Sequence, residues 1–195
     1  MNKTICLASR SPRRAELLQQ IGVDFLVLPS DIDEAVLPGE AAADYVTRLA
    51  RTKAAVCFEE LQRQQLTMLP VLAADTTVTV DGEILGKPEN DDDAYRMLAK
   101  MSGRWHEVHT GIALATQAGV EVVLSTTRVE MANLAEATIR AYIASGEPRD
   151  KAGAYGIQGL AGVLIKRIEG SYSCVMGLPI YETATLLSGA GISVL

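Results

Sequence analysis

A β-α-β opening restricts this chain to folds in which helices pack on a sheet. Residues 4–8 form a short apolar run of β type, residues 23–28 (VDFLVL) form a second, and a well-punctuated helix lies between them. Ser11 stands at the N-cap position, Pro12 at the first helical position, and Gly22 can close the far end with φ > 0. Arg13 and Arg14 break the pattern. They occupy the first turn, where the helix dipole is positive and an acidic residue would be favoured by about 0.3–1 kcal/mol. Two cations at this end imply an anion that answers them.

The same alternation continues. An acidic loop (PSDIDEAVLPGE, 29–40) leads to a long amphipathic helix expected from about Ala41 to Gln65. Then come the strand VLAADTTVTV (71–80), an Asp81-Gly82 turn and a short return strand ending at Gly86-Lys87-Pro88, the chain's clearest hairpin. Residues 91–101 read as a helix, 104–116 and 120–131 as long strands joined around Gly119, and 134–145 as a helix ending near Gly146. After EPRDKAGAYGIQGLAG (147–162) a strand is expected at 163–168 and a last helix from Leu178-Pro179. No repeat or Ser- or Pro-rich linker divides the sequence. Residues 1–195 are therefore expected to form one α/β domain, a mixed curved sheet flanked by helices, with two lobes and a central cleft.

A net charge of −6 argues against an extended surface for nucleic acid or anionic membrane, so any anion site must be local. With only 5% aromatic residues the interleaved stacking platform of a nucleic-acid binder is missing too. Cys6, Cys57 and Cys174 are far apart and lack metal-ligand spacing, which fits a reducing, cytoplasmic setting. No apolar run approaches the ~20 residues of a membrane span, and MNKTICLAS turns polar too soon for a signal peptide.

Several charges sit where they cost energy. Lys53 falls within the apolar stripe Val46, Leu49, Ala50, Ala54 and Cys57; either its stem packs while the ammonium reaches water, or it is a cation aimed into a cleft. Asp75 interrupts a strand otherwise apolar or hydroxylic over ten residues, with no cationic neighbour in sequence. It either accepts hydrogen bonds from Thr76, Thr77 or backbone amides, or serves as a metal ligand or general base. Asp31, Asp33 and Glu34 fit a solvated turn, though one of them could help hold Mg²⁺ or Mn²⁺. The two histidines of WHEVH (105–109) do not match H-E-x-x-H and read as structural. Neither a GxxxxGK[ST] loop nor a GxGxxG turn after a strand is present. Glycines 153, 156, 159 and 162 permit close backbone approach to a ligand, or merely an irregular loop.

As an ordered set, S9-x-S11-P12-R13-R14, the Glu34 loop, R51-x-K53, A74-D75-T76, G86-K87-P88, K151-A152-G153-x-Y155-G156-I157-Q158-G159 and G177-L178-P179 resemble the Maf family of nucleoside triphosphate pyrophosphatases, over nearly the whole chain. Thr76 and the Tyr-Gly-Ile-Gln run resemble the branch acting on dTTP and UTP, as opposed to that acting on 7-methyl-GTP. The resemblance implies hydrolysis of a nucleoside triphosphate to monophosphate and pyrophosphate with a divalent metal, Mg²⁺ or Mn²⁺, in a two-lobed fold related to the inosine triphosphatases, and a homodimer. It gives the anion for the opening helix, whose N-terminus with Ser9, Arg13 and Arg14 would hold phosphate oxygens. Lys53 and Lys87 would neutralise the triphosphate, Glu34 and Asp75 would hold the metal, and Asp75 would activate water. Arg13, Thr76 and Gln158 would set substrate specificity. The family's association with cell division and septum formation leaves a nucleotide-binding regulator as the alternative.

Overall fold

The computed structural model describes residues 4–194; the first three residues, which open MNKTICLAS, and the last lie outside it. Its elements are β1 (Thr4–Leu7), α1 (Pro12–Gln20), β2 (Asp24–Val27), α2 (Ala42–Arg63), β3 (Val71–Val80), β4 (Glu83–Leu85), α3 (Asp91–Met101), β5 (Trp105–Thr116), β6 (Gly119–Met131), α4 (Glu136–Ala144), β7 (Ile165–Glu169), α5 (Tyr172–Met176) and α6 (Ile180–Gly189). Three short 3₁₀ turns lie between α4 and β7, and the last of them, Leu160–Leu164, starts β7 two residues later than the sequence predicts. The five-residue α5 is not anticipated by periodicity, being little more than one turn long.

The expected mixed sheet is present, in the order β2-β1-β3-β5-β6-β7 with β4 also on β3. β1 runs parallel to β2 and β3, while β3, β5, β6 and β7 are antiparallel in succession. The Asp81-Gly82 turn has both residues at positive φ, 54° and 77°, as a two-residue hairpin of matching twist requires. Ser11 holds the N-cap position of α1 with extended backbone, yet its side chain caps nothing. Its N–H is instead held by Ser9 Oγ at 3.2 Å.

The position of the cleft follows from strand register. β1 pairs with β3 only at Val71 and Leu72, and β4 joins the same edge only from Val78. Residues 73–77 therefore have a strand partner on one side alone, β5, and at this gap the chain leaves β1 for the arginine-bearing turn. Core packing divides at the same place. Leu72 and Ala74 pack with β1, α1 and α6 on one face, while Val71 and Ala73 pack under α2 on the other. Val78 and Val80 belong to a separate cluster with α3 and α4. Two lobes thus share one strand, and Asp75 lies at the crossing.

Candidate active site

The gap opens into a cleft of about 490 Å³. Six cations line it, Arg10, Arg13, Arg14, Lys53, Lys87 and Lys151, against three carboxylates, Glu34, Asp75 and Asp150. In a chain of net charge −6 this is a local concentration of positive charge, the kind of place to which composition confines any anion site. α2 and β3 supply its floor. The stripe of α2 buries Val46, Leu49, Ala50, Lys53, Ala54, Cys57 and Leu61 against the sheet, so Lys53 does face inward and is only 8% exposed. Its ammonium does not reach water in the manner of a surface lysine. Nζ donates to Asp75 Oδ1 at 2.7 Å and lies 2.6 Å from Glu34 Oε1. Asp75, 8% exposed, has no cation near it in sequence but gains one from 22 residues away. An unpaired carboxylate there would cost several kcal/mol.

Arg14 forms the second anchor. Nε donates to the Gly177 carbonyl at 2.8 Å, Nη1 to Ser9 Oγ at 3.1 Å and Nη2 to Thr76 Oγ1 at 3.2 Å, so one guanidinium ties α1 to β3 and to the turn after α5. All three acceptors are neutral. Burial lowers the pKa of Arg14, and the charges of Asp75 and Glu34 oppose that effect. The guanidinium is thereby oriented while keeping charge to offer an incoming anion. Arg13 and Lys87 line the same cleft, whereas Ser9 sits behind the wall, 8% exposed, steering Arg14. Arg10 is spoken for by Asp31, at 2.7 and 3.2 Å.

The opposite wall comes from the glycine-rich segment. Gln158 is exposed and lines the cleft with Lys151, Tyr155 and Gly156. Lys151 Nζ donates to the Glu147 carbonyl at 2.7 Å and to Asp150 at 2.6 Å, and its stem fills the space a Cβ on Gly156 would need. The Glu147 carboxylate accepts from Tyr142 Oη and Leu160 N, each at 2.8 Å, and so pins the segment to α4. Behind Tyr155, whose hydroxyl lies 2.7 Å from His106 Nε2, burial holds the His106 imidazole at a pKa of about 4. His109 lies 3.1 Å from Thr79 Oγ1 and 3.0 Å from Thr126 Oγ1. Both histidines are buried against hydroxyl partners, and neither lines the cleft.

Sequence reading missed the clasp on the Glu34 loop. Tyr45 donates its hydroxyl to the Glu34 carbonyl at 3.0 Å, Arg48 donates to the Ala35 carbonyl at 3.0 Å, and Ser30 Oγ donates to the Lys53 carbonyl at 3.1 Å. Arg48 also grips Glu40 through two nitrogens, at 2.5 and 2.7 Å, which pushes the Glu40 carboxyl down to about 2. Burial, with Asp75 and Glu34 nearby, raises the Tyr45 phenol to about 12, so it remains a donor at neutral pH. A tyrosine and an arginine near the start of an amphipathic helix carry no signal that distinguishes them from ordinary helix surface.

Glu34 and Asp75 are suited to a divalent cation. Their oxygens converge on one point, and Mg²⁺ or Mn²⁺ is commonly held by one or two carboxylates completed by substrate phosphates and water. Among the described residues no group of three or more His, Cys, Asp or Glu is placed to hold a metal.

A family model described as Maf-like protein matches residues 4–190. The chain belongs to the Maf family. Curated relatives named dTTP/UTP pyrophosphatase include one from Methylobacillus flagellatus, 66% identical over 97% of this chain and 94% of its own length. Another, from Bordetella parapertussis, is 58% identical over 96% and 93%, and one from Hahella chejuensis is 52% identical over 98% and 94%. Among solved structures, the Staphylococcus aureus Ham1 protein is similar over 67% of this chain and 72% of that one, with a TM-score of 0.48 and 18% identity. Among the described residues no helix of this Maf chain is long and apolar enough to cross a membrane, and all three cysteines are buried and free.

Proposed function

We propose that this chain is a nucleoside triphosphate pyrophosphatase that hydrolyses dTTP and UTP to the monophosphate and pyrophosphate, removing unwanted nucleotides from the pool. One observation carries the reading: a buried Asp75 at the floor of a cleft that gathers six cations in an acidic protein. The relatives' shared name supports the choice of substrates.

The triphosphate enters along Arg13, Arg14 and Lys87, with the N-terminus of α1 adding its dipole. Arg14 is held by three neutral acceptors and needs little reordering to meet phosphate oxygens. Lys53 uses only Oδ1 of Asp75, which leaves Oδ2 to take the proton of a water attacking the α-phosphorus. The new P–O bond forms as the bond from the α-phosphorus to the bridging oxygen breaks, and pyrophosphate departs beside Lys87. Glu34 and Asp75 would hold a divalent cation, Mg²⁺ or Mn²⁺, which when bound supplies positive charge against the leaving group. Arg13, Thr76 and Gln158 meet the nucleoside end; the Gln158 amide offers both donor and acceptor to a pyrimidine edge. The same reading takes the chain as one catalytic unit over 1–195, cytoplasmic, and a homodimer in solution, which sedimentation tests.

Incubation with dTTP, UTP, CTP, dATP, GTP and 7-methyl-GTP, with and without Mg²⁺ or Mn²⁺, is expected to release pyrophosphate from dTTP and UTP, in a reaction abolished by chelation. Asp75→Asn is expected to fold and bind nucleotide while losing about 10²–10⁴-fold in kcat. Full turnover in that variant removes the base from the scheme. Tight nucleotide binding without any hydrolysis by the unmodified protein would favour a regulator instead.

A further inference from the structure

In this structure Lys53 is itself the counter-ion of the two carboxylates suited to a metal. Its Nζ is 2.6 Å from Glu34 Oε1 and 2.7 Å from Asp75 Oδ1, at the one point where both side chains converge. A cation bridging Glu34 Oε1 and Asp75 Oδ1 must take the space this ammonium fills. Two positive charges cannot share it.

We infer that Lys53 is a place-holder: it closes the Glu34–Asp75 pair while the cleft is empty and transfers to the polyphosphate when one enters, so that divalent cation and triphosphate bind together and not cation first. The inference rests on the metal-dependent reading above. Charge balance between Lys53 and Asp75, both nearly buried, drives it, with the half-exposed Glu34 adding a second negative charge. Lys53 cannot leave Asp75 without another anion to meet, and Asp75 cannot be left without another cation. A bare divalent ion satisfies the second condition and violates the first; a bare triphosphate does the reverse. Only their joint arrival satisfies both. The four-carbon stem of lysine can make such a swing, whereas Arg14 is fixed by three bonds and serves as the standing contact. Arg13 and Lys87, on the wall, bring the anion to within reach.

The test is Mn²⁺ binding to the full chain, followed by calorimetry and by the loss of free-ion electron spin resonance signal. It uses the unmodified protein, Lys53→Gln and Lys53→Arg, each alone and with α,β-methylene-UTP, whose scissile linkage cannot be hydrolysed. Without nucleotide, Lys53→Gln is expected to bind Mn²⁺ about tenfold or more tightly than the unmodified protein, a coupling of ordinary size for linked sites. Lys53→Arg, which keeps the charge, should stay weak. Comparison of variants separates this effect from chelation by the nucleotide itself, which is common to all. Equal affinity of the unmodified protein and Lys53→Gln overturns the place-holder. If Lys53→Gln does not fold, the unmodified protein decides: a nucleotide-free Mn²⁺ site tighter than about 1 mM that Glu34→Gln abolishes refutes it. If Mn²⁺ fails to join the protein even with the analogue present, the metal reading of Glu34 and Asp75 falls first, and the place-holder with it.

Discussion

Gly111 sets how closely the Lys53 helix approaches the sheet, and Gly111→Ala tests whether that approach matters. Gly111 is the register partner of Asp75 on β5. A Cβ built there would lie 2.5 Å from the Val46 carbonyl oxygen, 2.7 Å from its carbon and 2.9 Å from Thr47 N, all backbone atoms of α2. No rotamer change relieves that clash. The helix must lift by about 0.9 Å to restore ordinary contact at 3.4 Å. Overpacking of this kind costs about 1–3 kcal/mol, offset in part by the roughly 0.5–1 kcal/mol that Ala gains over Gly within a strand. For a chain of this length a net loss of about 1–2 kcal/mol lowers Tm by about 2–8 °C. Activity should suffer more than stability. Lys53 lies two turns along the lifted helix, and a displacement near 1 Å at a reacting centre can cost about 10²-fold. Thermal unfolding and steady-state kcat on UTP provide the readouts, with Gly189→Ala, where nothing lies within 4 Å of the added methyl, as control. Unchanged Tm and kcat in Gly111→Ala would refute the close-approach argument.

His106 predicts an acid-sensitive fold. Its folded pKa of about 4 lies below the usual 6.5, so the unfolded chain binds the extra proton and stability falls as pH drops from about 6.5 toward 4. The contribution is about 3 kcal/mol, and a His106→Gln protein should lose that part of the slope in denaturant titrations run across this range; an unchanged slope would mean that the imidazole is not held neutral. Tyr45→Phe removes the hydroxyl that holds the Glu34 carbonyl and should leave the fold intact. Loss of one such bond, about 1 kcal/mol, corresponds to about fivefold in kcat/KM. The loss should vanish when Glu34→Gln is already present; additive effects would show that Tyr45 acts elsewhere.

Elements with local codes were legible in the chain. The ten-residue strand ending at Asp81-Gly82, the stripe on α2, the 91–101 span of α3, and the Pro12 and Gly22 limits of α1 all follow from spacing and from backbone constraints that neighbouring residues carry with them. The anomalies were legible as well, because a charge in an apolar stripe or two arginines at a positive helix end violate local energetics wherever they occur. What answers each anomaly was not. The Lys53–Asp75 contact, the three acceptors of Arg14 and the Tyr45 clasp join segments whose relative placement depends on strand register and on the helix resting against Gly111. Sequence therefore determined which residues could not be ordinary. Only the tertiary structure decided which charge compensates which, because the cost of burying a charge is settled by the partner that packing brings to it, and periodicity along one segment carries no information about that partner.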